Sequence, residues 1–484
     1  MSAPAVDLVR PLPGRLALVS AVLVAAALAA IAAGAPAVVP RLLGTGAAAA
    51  LVAGATLDWT FGITAFVVWL TIGDLLRKFT GGSLLLLGTT ELVAAAAMLR
   101  FGWEIWRGRV PRPVLPVTGP LAVFAVWVVV RALPDLVRSP WTALNGIHGW
   151  LFFVPFLYAG YAWRSRERTA GWPLAAVIMG AVAAAGGLAQ GWFGLDVLNP
   201  ADTSGLPLKL LHAYSHTESV PRPNSVFMHA GRLSGVLLAV LWVLPAALAQ
   251  APARFAVRVS LAAAASAITA ALVLSGQRAA LLSLAAGAVV VVVSLRGRVL
   301  RSNGLWLALG AGALAAALLV RTAPAGLTLR FYGDTVSPAA IEERIADLHY
   351  TFGGMRYALE TTRWGFGTGA ASTGRAHALG VPWNDPSVLP LEGGLGVLVW
   401  EWGVAGPVLW LWLAGTLAHA LWRRTRLARE DGEAWTSAAA LAAVCASMGV
   451  WFIFSASAYQ SYPLQALVWL TAGHALARGQ APGR

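Results

Sequence analysis

"LSGQRAALLSLAAGAVVVVVSL" runs from Leu274 to Leu295, and beyond Arg278 it carries no charge until Arg296. Its apolar part, Leu281–Leu295, approaches the ~20 residues a helix needs to cross a bilayer. A single such run would also fit a buried core helix. Here runs of this kind recur along the whole chain, with Leu16–Val39 the clearest second example. The composition agrees: of 484 residues 58% are hydrophobic and only 12% are charged, and the mean hydropathy is +0.70. That leaves too little polar surface to cover a soluble globule. The reading is an all-α, polytopic helical membrane protein.

Spans are expected near 16–34, 36–55, 59–74, 83–99, 118–133, 147–163, 172–192, 230–250, 256–275, 278–295, 303–320, 394–421, 434–455 and 458–477. That makes about fourteen, or about twelve without the first two, which Pro36 and Pro40 interrupt. Ala33-Gly34-Ala35 resembles a signal-peptide cut. The apolar stretch before it is longer than a secretory h-region, so it reads as an uncleaved first span. Arg100, Arg107, Arg109 and Arg112 fall in one short connection. Arg164, Arg166 and Arg168 fall in a second, and Arg254 and Arg258 in a third. Arg296, Arg298 and Arg301 make a fourth, and Arg423, Arg424, Arg426 and Arg429 a fifth. Basic residues in alternate short loops mark the cytoplasmic side, which puts both termini inside.

Four segments follow. Residues 1–58 hold N-terminal membrane helices. Residues 59–320 form a membrane core with a first outer loop at 193–229. Residues 321–393 are a long outer loop, and 394–484 hold the last helices. The long loop has helix-like stretches at Ile341–Leu348 and Met355–Thr362, so it reads as partly helical and packed over the membrane face. The net charge of +14 does not point to nucleic acid, because the arginines punctuate apolar runs instead of clustering on one soluble domain. The one cysteine, Cys445, allows no internal disulfide and no cysteine-based metal site. Trp59, Trp103, Trp150, Trp172 and Trp192 lie near span ends and read as interfacial anchors.

Some charges stand where charge is costly. Arg278 opens its span on the outer side, and Arg232 in "HAGRLSGVLLAV" lies just inside another. Small residues flank both, letting a neighbouring backbone or a ligand approach. Each would serve as an anchor; together, at one depth, they form a candidate phosphate clamp, since a guanidinium binds phosphate oxygens bidentately. Arg222 in "VPRPNSVFMHAGR" is held between two prolines. Arg356 in "GGMRYALETTRWGFGTGAASTGRAH" begins a short helix that ends in Gly365, Gly367 and Gly369; Arg363, Arg375 and His377 share that stretch. Those glycines suit a tight turn or backbone nest. Glu91, inside "SLLLLGTTELVAAAAML", is a buried partner for an arginine or a site residue. His212 and His216 at i, i+4, with Glu218 and His229 nearby, would suit a metal on a helix. Loop histidines are more often solvated, and no metal is assigned. In "LEGGLGVLVWEWGVAG", 391–406, Glu392 stands at the mouth of a span and Glu401 about 13 Å of helix deeper.

The order of these features resembles the bacterial O-antigen ligase and polymerase superfamily. The resemblance rests on Ser275-Gly276-Gln277-Arg278 opening a span, and on "R-x-N-S-x-F…G-R-L-S-G" from Arg222 to Gly235. It also rests on "QGWFGLDVLNP" at the start of the first outer loop, on the long loop with Arg356, Gly365 and Gly367, and on E-x-G-x-x-G at Glu401–Gly406. It covers about residues 60–475. It implies a GT-C-like, metal-independent membrane glycosyltransferase that uses no cofactor. Such an enzyme takes a glycan from an undecaprenyl-(pyro)phosphate donor to a glycan, lipid or protein acceptor, on the extracytoplasmic face of the bacterial cytoplasmic membrane. Arg232, Arg278 and Arg356 would stabilise the leaving pyrophosphate, with Arg222, Arg363, Arg375, His377 and Glu401 around the substrate. Ligases carry histidine then asparagine nine positions before E-x-G-x-x-G; here Glu392 and Gly393 stand there. Glu392 is then either the base for the acceptor hydroxyl or a first-turn helix acid, and the exchange tilts the reading toward a polymerase. Glu401 is expected to pair with a buried arginine. A transporter or flippase of a lipid-linked or anionic substrate is the second reading. It calls for paired repeats and broken helices, neither of which is legible. A membrane scaffold is the third.

The sidedness has a direct test. In a Cys445→Ala background, cysteines placed at Ser204 and Ser372 react with a membrane-impermeant thiol reagent in intact cells, and one at Ser302 does not. Labelling at Ser302 alone would invert the topology.

Overall fold

The computed structural model describes residues 11–138, 140–163, 171–200, 210–212, 219–250, 254–295, 303–320, 338, 342, 351–361, 391, 393–455 and 462–477. Among the described residues the regular structure is helical apart from a ribbon of two three-residue antiparallel strands, β1 (Leu210–His212) and β2 (Ser219–Pro221), in the first outer loop. The helices are α1 (Pro11–Ala32), α2 (Val38–Leu57), α3 (Trp59–Lys78), α4 (Leu84–Trp106), α5 (Thr118–Arg138), α6 (Pro140–Leu151), α7 (Pro155–Trp163) and α8 (Trp172–Phe193). After the ribbon come α9 (Ala230–Gln250), α10 (Phe255–Leu274), α11 (Arg278–Leu295), α12 (Asn303–Val320) and α13 (Thr351–Thr361). The last are α14 (Gly394–Trp402), α15 (Ala405–Leu427), α16 (Asp431–Val444, continued through a π-helical stretch to Phe454) and α17 (Tyr462–Ala477). Among the described residues nine helices are long and apolar enough to cross a membrane. The protein is a multi-pass helical membrane protein.

Small residues set the closest helix contacts, as expected where lipid supplies no hydrophobic drive between helices. A Cβ on Gly473 of α17 would stand 1.9 Å from the Leu157 carbonyl of α7, and one on Gly160 would stand 2.3 Å from the Leu470 carbonyl. Either side chain would push the two helices apart.

Two expected spans are not continuous. The span near 147–163 is two helices, because the chain turns at Phe152–Val154 and Pro155 restarts it as the first residue of α7. Proline lacks an N–H, so it fits a first helical position better than an interior. The span near 394–421 breaks at Gly403, which has φ 71° and ψ −168°, a region open essentially to glycine. The two breaks face each other. Trp127 Nε1 donates to the Trp402 carbonyl (3.1 Å), and Trp150 Nε1 donates to Glu401 Oε2 (2.9 Å). The Trp402 carbonyl and the Glu401 carboxylate at the second break thereby find partners inside the bundle, where lipid offers none. Trp150, Trp402, Trp410, Phe124 and Phe452 close around them with ring centroids 4.7–6.0 Å apart. Trp59, Trp150 and Trp172 are thus fully buried and are not interfacial anchors, whereas Trp103 and Trp192 are exposed.

Gly403→Ala forces a side chain into the glycine-only region and is expected to cost about 1–3 kcal/mol. The thermal midpoint in detergent should fall. Gly415→Ala, with nothing within 4 Å of the new Cβ, should leave it unchanged or raised.

Candidate functional site

The C-terminal ends of α3, α8 and α10 and the N-terminal ends of α4, α9 and α11 share one end of the bundle, the end that the sequence assigns to the outside. At the end of α3, "DLLRK" places Asp74, Arg77 and Lys78 within two turns. Asp74 is buried and lies 3.7 Å from Arg77. Gly81 and Gly82, both at positive φ, turn the chain into α4. Arg41 pins that turn from α2 by donating to the Thr80 carbonyl (2.8 Å), as does Arg77 Nε to the Gly82 carbonyl (3.4 Å).

The segment 222–229 does not behave as a solvated loop. It is largely buried, and a polar knot holds it. Gln190 Oε1 accepts from the backbone N–H of Asn224 (2.9 Å) and Ser225 (2.7 Å). Gln190 Nε2 donates to the Val197 carbonyl (2.7 Å) and to Asn224 Oδ1 (3.0 Å). Asn224 reaches Asn199 (3.3 Å), and Ser225 Oγ donates to the Ala183 carbonyl (2.5 Å). Ser225 has φ 52°, the left-handed region where a non-glycine residue is held by its surroundings. Lys78, only 1% exposed, donates to the Ser225 carbonyl. Arg222 Nε donates to the Ser275 carbonyl (2.9 Å), and its Nη2 donates to Gln277 Oε1. Ser234 Oγ donates to Ser275 Oγ (2.9 Å). Thus α8, segment 222–234 and the turn 275–277 form one unit, with Gly276 at φ 67° making the turn.

An ion pair and a carboxylate–imidazole contact flank this unit. Arg232 Nη1 binds both oxygens of Asp74, at 2.7 and 2.9 Å. Glu91 Oε1 on α4 lies 3.8 Å from His148 Nε2 on α6.

The structure brings Arg222, Arg232, Glu91 and the turn that opens onto Arg278 to one end of the bundle. Arg278 is the first residue of α11 and half-buried. Arg356 lies in mid-helix in α13 and does not begin it; it is 80% exposed and pairs with Glu360 one turn on (2.8 Å). Glu401 is fully buried and accepts from Trp150. Glu392, Arg363, Arg375 and His377 lie outside the described residues, as do His216 and Glu218. His212 falls in β1, not on a helix, and His229 Nδ1 accepts from the Gly231 N–H (2.9 Å). Among the described residues no group of three His, Cys, Asp or Glu is placed to hold a metal. Sequence reasoning missed Asp74, Arg77, Lys78 and His148. The signal that singled out Glu91, a charge inside an apolar span, applies equally to Asp74.

No protein-family model matches this chain, and no curated protein matches it.

Gln190→Leu would strand the Asn224 and Ser225 N–H groups, at about 1–3 kcal/mol for each buried group left unsatisfied. The thermal midpoint in detergent should fall accordingly. An unchanged midpoint would show that the knot contributes nothing to stability.

Proposed function

We propose that this protein is a membrane glycosyltransferase that polymerises, more than it ligates, oligosaccharides carried on undecaprenyl-(pyro)phosphate. It works at the outer face of a bacterial cytoplasmic membrane, in surface polysaccharide synthesis. One observation carries the reading. Gln190–Pro200, Arg222–Gly235 and Ser275–Arg278, three separate segments on which the family resemblance rests, meet in a single hydrogen-bonded unit that ends in Arg222, Arg232 and Arg278. Departure of a lipid pyrophosphate builds negative charge. Guanidiniums held in place before the reaction stabilise that charge without reorganising. The acceptor oxygen bonds to the anomeric carbon as the bond to the phosphate oxygen breaks, on the opposite face, so configuration inverts. The donor is the lipid-linked glycan; the acceptor is a growing glycan, or a lipid or protein in the ligase variant.

The facing breaks in α6/α7 and α14/α15 favour the second reading, a transporter or flippase, since broken helices at matching depth are a feature of transporters. Their filling supports the first. Glu401, Trp150, Trp402 and Trp410 are all buried, so the half-helix ends are packed against rings instead of facing an open midplane site.

The two readings part in proteoliposomes given lipid-linked oligosaccharide. The transferase consumes donor and lengthens the glycan; a flippase only moves donor between leaflets. Arg278→Ala should cut transfer on the order of 10²–10³-fold, the usual loss for one preorganised donor, with normal protein levels in the membrane. Arg278→Lys should rescue poorly, because an ammonium lacks the bidentate fork. Full transfer in Arg278→Ala would remove this arginine from the site.

A further inference from the structure

Arg77 carries the argument beyond the three arginines named so far. It stands in the last turn of α3, where the chain enters the short connection to α4. Short outer loops are poor in Lys and Arg, yet Arg77 and Lys78 stand together at this one. Nor do they reach out into water, as snorkelling anchors do. Lys78 is 1% exposed and the Arg77 side chain 14%. The Ser225 carbonyl holds Lys78. Arg77 is held loosely. Its Nε lies 3.4 Å from the Gly82 carbonyl and its Nη1 lies 3.7 Å from Asp74 Oδ1. The first is a long hydrogen bond, and the second is too long to be one. The same Asp74 Oδ1 lies 2.7 Å from Nη1 of Arg232, a side chain 22% exposed. Two guanidiniums from different helices thus converge on one carboxylate oxygen, and Lys78 follows one turn along α3. The positive charge is in excess. At the outer parts of α2, α3, α4, α8, α9 and α11 the described charged side chains are Arg41, Arg77, Lys78, Arg222, Arg232 and Arg278 against Asp74, Asp196 and Glu91.

We propose that Arg77 and Arg232 together bind a pyrophosphate-class anion at the outer end of α3, with Asp74 between them. Charge taken out of water needs a counter-charge and short hydrogen bonds. Asp74 gives both to Arg232, through two contacts of 2.7 and 2.9 Å, and gives Arg77 only a long one. An anion supplies what Arg77 lacks. Phosphate oxygens match the planar fork of a guanidinium, and a pyrophosphate has enough of them to engage two arginines at once. There is room at this place: a Cβ on Gly81, in the turn that Arg77 touches, would meet nothing within 4 Å. The inference rests on the glycosyl-transfer reading for the bearer of the anion, the lipid-linked donor, and adds Arg77 to the residues that hold it. The charge and geometry that call for an anion stand apart from that reading.

The test measures binding and needs no turnover. Full-length protein in detergent is titrated with inorganic pyrophosphate and, separately, with a polyprenyl pyrophosphate, and affinity is read by calorimetry. The wild type should bind, more weakly as salt is raised. Arg77→Gln should weaken binding about 10- to 100-fold, the usual worth of a hydrogen bond to a charged group. Arg109→Gln, exposed at the opposite end of the bundle, should leave it unchanged. Tighter binding of the polyprenyl form places the anion on a lipid, and equal affinities make it a site for the free ion; either result supports the site. No binding of either form by the wild type, or wild-type affinity in Arg77→Gln, overturns it. If Arg77→Gln does not reach the membrane, Arg77→Lys decides, because an ammonium keeps the charge and loses the fork. Its affinity should fall several-fold, and an unchanged affinity overturns the proposal. Pyrophosphate binding that depends on Arg77, in a protein that consumes no lipid-linked donor, would keep this site and sink the glycosyltransferase reading instead.

Discussion

One amide, Gln190, fixes the outer end of the bundle. A buried segment outside regular structure must find partners for its own N–H and C=O groups, and inside a membrane protein those partners are other protein groups. Gln190 supplies two acceptor and two donor contacts to the two ends of the first outer loop. Ser225 can then stay in the left-handed region, turning its carbonyl to Lys78 of α3. This sets where α9 begins, and therefore where Arg232 meets Asp74. The backbone at 222 is set as well, so Arg222 lies across the turn before α11. The positions of the three arginines thus trace back to one side chain at the end of α8.

Much of this architecture was legible in the sequence, and the illegible part has a physical reason. Length and apolarity decide whether a helix crosses a membrane, and both are local; nine of the fourteen expected spans are accordingly long apolar helices among the described residues. Facing is not local. Trp59, Trp150 and Trp172 stand near span ends, as anchors do, yet each is turned into the bundle. Asp74 and Arg232 are 158 residues apart, and no spacing rule joins them. Arg356 was placed on a helix correctly, but its position within that helix, and the Glu360 one turn on that takes its charge, depend on where the helix starts. Helix breaks are hidden for a related reason. Glycine and proline occur in many membrane helices without interrupting them, so Gly403 and Pro155 did not announce a break.

The E-x-G-x-x-G stretch has a local explanation once the break is seen. Glu401 accepts from Trp150 and ties the end of α14 to α6. Gly403 adopts a backbone angle closed to side chains. Gly406 restarts the helix so close to α14 that a Cβ would stand 2.7 Å from the Leu398 carbonyl. All three serve to make a bend inside the membrane. Glu401 is therefore a structural carboxylate in these contacts, and the pattern marks a place where the chain must fold back on itself.

The charge arrangement also narrows what the outer end can bind. Asp74 holds Arg232 with both oxygens before any ligand arrives, so a ligand must compete with a carboxylate for it. A neutral sugar offers nothing that competes with a carboxylate for a guanidinium. A pyrophosphate does, because its charge is higher and its oxygens match the planar fork. On the proposed glycosyl-transfer reading, the cluster would then take the charged linkage of the donor, and contacts to the glycan would come from elsewhere. The helix α13, the described part of the long outer loop, packs directly on α14 through Gly354 and Gly396, where a Cβ on Gly396 would stand 3.1 Å from the Gly354 backbone. That contact fastens the long loop to the same broken helix that Trp150 holds, two residues from His148. The helix α13 is in this way joined, through α14, to α6.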